Sequence, residues 1–144
     1  MVRRGTLLVA AGALALVSTA CGGGGGTVGV TLQEFAVIPA ESSVEAGEVT
    51  FEATNEGPDD IHEFVIFRTD LAPDQLPVDE NGAVDEEGEG LELIDEIEDI
   101  PVGETQSVTV ELESGNYVLI CNIWDEEEQE AHYAEGMRVA FTVE

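Results

Sequence analysis

The chain has 144 residues, with 32 acidic side chains set against four arginines and no lysine. Every acidic residue lies beyond position 33, where Arg68 and Arg138 are the only opposing cations, so the chain after its leader carries a net charge of −30. A surface of that sign excludes nucleic-acid binding, repels anionic lipid head groups, and points to a salty habitat or a strongly cationic partner.

Arg3 and Arg4 precede an unbroken run of apolar and small residues, Thr6 to Val17, and together these predict an export signal over 1–20. The run is shorter than the roughly 20 residues a spanning helix needs. Ser18-Thr19-Ala20-Cys21, followed by Gly22 to Gly26, resembles the lipobox of bacterial lipoproteins, in which the cysteine becomes the lipidated amino terminus. The resemblance departs at Ser18, where the lipobox has an aliphatic residue. The alternative is an ordinary leader-peptidase cut that leaves Cys21 free or removes it, and both the general and the twin-arginine export routes stay open. The expected organisation is a signal peptide (1–20), a lipidated Cys21 with a glycine-rich tether (21–27) and one domain (28–144), held on the outer face of the cytoplasmic membrane by the lipid alone.

Apolar residues make up 43% of the chain and alternate with polar ones, which argues against disorder. Val28 to Ile38 reads as a first strand ended by Pro39, and Ser43 to Ala46 as a short one closed by Gly47. Glu48 to Asn55 puts Val49, Phe51 and Ala53 on one face, then ends at the turn Asn55-Glu56-Gly57-Pro58. His62 to Phe67 is rich in aromatic and β-branched residues and predicts the next strand. The Pro-, Gly- and acid-rich stretch from Thr69 to Gly90 reads as a solvated excursion. Asp85, Glu87, Glu89, Gly90 and Glu96 fall near the spacing of a calcium loop, but glutamates suit its third and fifth positions poorly and the flanks are not helical. Leu91 to Ile97 is a short helix or strand. Gln106 to Leu112, Tyr117 to Ile120 and Arg138 to Val143 complete the strands, with Gly115 opening a hairpin between the first two. About seven short strands predict an antiparallel β-sandwich.

Past Cys21, the soft or borderline metal donors are His62, Cys121, His132 and Met137, the last three within 17 residues. An unpaired cysteine in an exported chain is either a small buried apolar residue or a metal-bound thiolate. Two imidazoles, one thiolate and a weak thioether form the ligand set of a mononuclear copper ion that cycles between Cu(I) and Cu(II). The pattern places His62 at the start of a strand, Cys121 at the end of another, and His132 and Met137 on the loop that follows, so one rim of the sandwich collects all four.

The segments Asn55-Glu56-Gly57, His62-Glu63-Phe64-Val65-Ile66, Gly115-Asn116-Tyr117-Val118-Leu119-Ile120-Cys121-Asn122-Ile123 and His132-Tyr133-Ala134-Glu135-Gly136-Met137 resemble the cupredoxins of the plastocyanin and azurin type. The likeness implies an all-β, cupredoxin-like Greek-key sandwich and a type 1 (blue) copper site with ligands His62, Cys121, His132 and Met137. It also implies an electron carrier, not an enzyme, that acts as a monomer on redox partner proteins, with His132 as the exposed electron exit. The chain departs from the family between Cys121 and His132, where ten residues including Asp125, Glu126, Glu127, Glu128 and Glu130 replace two to four. That acidic run is either a solvated loop or a docking face for a cationic partner, and Trp124 either covers the metal or anchors the insert. Glu63 stands where plastocyanin-like proteins often have an asparagine; Asn122 and Asn55 are the candidates to hold the ligand loops instead. The rival readings are a copper chaperone or buffer and a metal-free interaction module.

Overall fold

The computed structural model describes residues 24–144; the leader and Cys21 lie outside the described residues. Eleven strands are named, Gly25–Gln33 (β1), Ala36–Pro39 (β2), Ser43–Val44 (β3), Gly47–Gly57 (β4), His62–Arg68 (β5), Glu92–Ile100 (β6), Thr105–Leu112 (β7), Gly115–Ile120 (β8), Trp124–Asp125 (β9), Glu130–Ala131 (β10) and Arg138–Val143 (β11), with one short helix, His132–Glu135 (α1). One sheet runs β2-β1-β4-β7, a second runs β3-β11-β8-β5-β6, and β9 and β10 form a small ladder of their own. The sheets are mixed: β1 pairs with β4, and β11 with β3, in parallel, whereas the strand pattern had predicted a wholly antiparallel sandwich.

The alternation that predicts β4 is realised in full. Val49, Phe51, Ala53 and Asn55 point into the core while Glu48, Glu52 and Glu56 are exposed, and on its outer face Thr50 and Thr54 share hydroxyl hydrogen bonds of 2.8 Å with Thr109 and Thr105 of β7. The two sheets meet at a cluster of aromatic rings. Phe51 of β4 packs on Phe64 of β5 and Phe141 of β11 at centroid distances of 5.4 and 5.5 Å, in the tilted and edge-on arrangements that aromatic quadrupoles favour.

Three local expectations are corrected. Val28 to Ile38 is not one strand but two, since the chain reverses at Glu34-Phe35 and β2 folds back on β1. The residues around Gly115 make no hairpin: β7 belongs to one sheet and β8 to the other, so this link crosses the sandwich, and the Tyr117 hydroxyl ties it by donating to the Glu113 carbonyl at 2.8 Å. The 69–90 excursion is only partly solvated. Leu76 and Val84 from it cover the outer face of β5 and β8, packing with Val65, Phe67, Val118, Ile120 and Tyr133 in a second core. That explains why β5 is buried at Phe64, Val65, Ile66 and Phe67 alike instead of alternating. The uncertain 91–97 stretch is strand from Glu92 onward, part of β6.

Both described arginines are spent locally. Arg68 pairs with Glu113 at 2.8 Å, and Arg138 donates to the carbonyls of Tyr133 and Ala134 while lying over the Tyr133 ring. Among the described residues no other arginine or lysine is left to offset the remaining carboxylates, which repel one another. Raising sodium chloride from about 0.1 M to about 1 M cuts the screening length from about 10 Å to about 3 Å, and is expected to raise the thermal midpoint of the domain; a midpoint that stays level or falls contradicts this account.

Candidate metal centre

The centre is built from four chain segments at one pole of the sandwich. The turn between β4 and β5 delivers His62. Asn55, fully buried, shapes that turn: its Oδ1 accepts the Gly57 N–H at 2.7 Å and its Nδ2 donates to the carbonyls of Asp60 and Ile100, each at 2.8 Å. Cys121 follows the last residue of β8. Opposite it, the strand partner of Ile120 is Arg138, so Met137 lies across from Cys121, whose N–H donates to the Met137 carbonyl at 3.1 Å. His132 opens α1, bound through its N–H to the Ile123 carbonyl at 2.9 Å and through its carbonyl to the Met137 N–H at 3.0 Å. The three residues from the later half of the chain are thus locked to one another by backbone hydrogen bonds. Gly136 permits the approach: its φ is +131°, and a Cβ there would stand 3.3 Å from the Phe35 carbonyl oxygen.

The side chains converge. His62 Nδ1 and His132 Nδ1 are 3.3 Å apart, and Cys121 Sγ lies 3.4 Å from His132 Nδ1 and 3.8 Å from His62 Nδ1. Three donors bound to one ion in a trigonal plane, with metal–nitrogen and metal–sulfur bonds of roughly 2.0 and 2.3 Å, stand about 3.5 to 3.8 Å apart, so the observed spacing fits a single shared ion. All three are buried, and Met137, also fully buried, belongs to the same core cluster as Cys121. The Glu63 N–H points at Cys121 Sγ at 3.2 Å, a donor suited to a thiolate.

The electrostatics make this a site that waits for a cation. Burial pushes the Cys121 thiol up to about 12, and burial, then the neighbouring His132, pushes His62 down to about 4; burial also lowers His132. Near neutral pH both imidazoles are therefore neutral and offer lone pairs. The thiol keeps its proton until a metal displaces it.

The surroundings differ from the sequence expectation in three ways. His132 is 1% exposed, so its ring is no open exit; Phe35, half-buried, packs edge-on against it at 5.4 Å. The insert after Cys121 is ordered by the β9–β10 ladder and by Asp125, whose Oδ1 accepts the N–H groups of Glu127 and Glu128 at 2.6 and 2.9 Å. Neither candidate asparagine hydrogen-bonds to the His62 or His132 ring. Asn122 instead binds Val84 and Glu86, tying the 69–90 excursion to the cysteine loop, while the group facing His62 Nε2 is Glu34, 3.7 Å away. Neither Glu34 nor Phe35 figured among the sequence candidates. Their one signal was a charged residue interrupting the apolar run Val28 to Ile38.

Glu63 carries a cost of its own. Burial, followed by repulsion from Glu96, Glu86 and Glu98, raises its carboxyl to about 7. A carboxyl whose folded pKa lies above its ordinary 4.5 favours the fold below that value and opposes it as pH rises through 7. Glu63→Gln is accordingly expected to stabilise the metal-free domain by roughly 1–2 kcal/mol near pH 8, after allowance for its partial exposure, and by little near pH 4. Urea midpoints at the two pH values check this; an equal effect at both contradicts it.

No family model and no curated protein matches the chain by sequence. Solved structures do match in fold. Reduced auracyanin from Roseiflexus castenholzii aligns with a TM-score of 0.56 at 20% identity, covering 83% of this chain and 96% of that one. Auracyanin A from Chloroflexus aurantiacus, described as a blue copper protein, aligns with a TM-score of 0.55 at 18% identity over 84% and 100% of the two chains. An azurin from Methylomonas sp. strain J aligns with a TM-score of 0.52 at 18% identity over 82% and 97%. The sandwich is therefore the cupredoxin fold, with a buried His, Cys, His cluster and a buried methionine at one pole.

Proposed function

We propose that the chain is a mononuclear type 1 copper protein that carries single electrons outside the cytoplasmic membrane, with His62, Cys121, His132 and Met137 as its ligands. The observation that carries this reading is the mutual approach of Nδ1, Nδ1 and Sγ to within 3.3–3.8 Å in a buried pocket with a methionine beside it. The donor set fits copper: imidazole and thiolate in one plane with a weak axial thioether is the arrangement that favours electron transfer. When bound, copper supplies a one-electron couple between Cu(I) and Cu(II). The chain supplies ligands held by strand ends and backbone hydrogen bonds, so that either oxidation state meets the same donors with little rearrangement. Four protein ligands leave no open position for a substrate, which supports a carrier and not an enzyme.

Docking follows from charge. Asp60, Asp125 and Glu128 are near enough to act on His132, and Asp59, Asp60, Asp125 and Glu130 act on Glu128, so the rim around this histidine is negative. A redox partner with a cationic face fits it, and Phe35 is the aromatic contact between the His132 ring and the surface. The export signal and Cys21 support a lipid-anchored location on the outer face of the membrane, with the domain acting as a monomer.

The test is electrochemical. A copper-loaded soluble domain is expected to give a reversible one-electron wave, and its electron exchange with a cationic partner is expected to slow as salt rises. Tight Cu(I) binding without a reversible wave would assign the chain to copper holding or delivery instead, a role that the ordered insert and buried His132 do not favour.

A further inference from the structure

We infer that Glu34 is the outer partner of His62, its carboxylate accepting the Nε2–H of that ring and so holding the imidazole with Nδ1 turned to the metal. The inference rests on the copper reading above. His62 presents Nδ1 to Cys121 and His132, so once that nitrogen gives its lone pair to an ion, the ring proton has to sit on Nε2. Nε2 is buried and has no hydrogen-bond partner among the described residues, and Glu34 Oε2 is likewise buried without one. The two groups face each other with Nε2 3.7 Å from Glu34 Oε1, and a closure of under about 1 Å brings them into hydrogen-bonding range. Oε1 already accepts two backbone N–H groups, but Oε2 of the same carboxylate does not, so the carboxylate facing this buried donor still has acceptor capacity to give it.

Glu34 is itself held in place. Its Oε1 accepts the N–H groups of Asp59 and Asp60 at 3.1 and 2.6 Å, so one carboxylate clasps the turn that leads into His62 and faces the ring at its end. It thereby fastens the β1–β2 reversal to the ligand-bearing β4–β5 turn. The charge matters as well as the contact. A carboxylate against a ligand ring, in an interior with little water, favours the higher charge on the ion and so favours Cu(II) over Cu(I). Glu34 is therefore a positioning residue that holds the reduction potential down.

Glu34→Gln keeps an oxygen for the two backbone amides and removes the charge, which separates tuning from shape. The copper-loaded variant is expected to show a higher reduction potential than the wild type, and in the Cu(I) state its His62 Nε2 proton, followed by NMR, is expected to exchange with solvent several-fold faster. A variant that loses only stability, with potential and proton exchange unchanged, overturns the role of Glu34. If the variant does not fold, the wild-type Cu(I) protein decides alone: a slowly exchanging Nε2 proton supports the bond, and a rapidly exchanging one refutes it. A wild-type chain that takes up no copper sinks the copper reading itself, whereas a copper-loaded pair that matches in both readouts sinks only this inference.

Discussion

Cys121→Ser is expected to abolish the intense visible absorption of the copper-loaded domain and to lower its copper affinity by orders of magnitude, while leaving the strands intact. The effect is large because the described residues hold no second thiol. Among the described residues the two histidines and Met137 already lie at this pole, and the remaining donors are carboxylates, which prefer harder ions. Serine is close in volume and its hydroxyl can accept the Glu63 N–H that now points at Sγ, so the far-ultraviolet circular dichroism is expected to stay near that of the wild type. Retention of the thiolate colour in Cys121→Ser would mean that another residue supplies the sulfur, and the assignment of ligands would be wrong.

Phe51→Ala is expected to destabilise the domain by about 3–5 kcal/mol, which is a large share of the roughly 5–15 kcal/mol that holds a domain of this size. Phe51 is 0% exposed and touches rings from both strands facing it, Phe64 of β5 and Phe141 of β11. Its loss opens a void where the sheets meet. β5 begins at His62 and β11 follows Met137, so loosening that contact also loosens two of the proposed ligands relative to each other, and copper affinity is expected to fall with stability. Urea denaturation with and without copper measures both. A loss below about 1 kcal/mol would show that the aromatic cluster is not the joint between the sheets.

The parts of the molecule that were legible beforehand are those where one physical signal dominates. β4 could be read because its polar residues face water and its apolar ones face a core, giving clean alternation. The convergence of His62, Cys121 and His132 could be read because soft donors are scarce in this chain and their chemistry is specific. Where two influences compete, the pattern fails. β5 is covered on both faces, so its period of two vanishes, and the cover comes from Leu76 and Val84 inside a segment whose acids and prolines mask them. The β1–β2 reversal at Glu34-Phe35 carries no glycine or asparagine to mark it. That hidden turn conceals both the carboxylate facing His62 and the ring packed on His132, neither of which a linear reading can bring to the site. Sheet membership of β7 and β8 was equally invisible, because a short link between strands is consistent with a hairpin or with a crossing between layers. The insert that leads into His132 has an acid-rich sequence that reads as loop, but it closes into a ladder held by Asp125.

The most direct measurement is a titration of the purified soluble domain with Cu(II), followed by visible absorption and electron paramagnetic resonance. The account predicts saturation at one copper per chain, an intense blue or green thiolate band, and loss of that band on one-electron reduction. A titration that produces no thiolate band, or that saturates only through weak sites on the acidic surface, would contradict it.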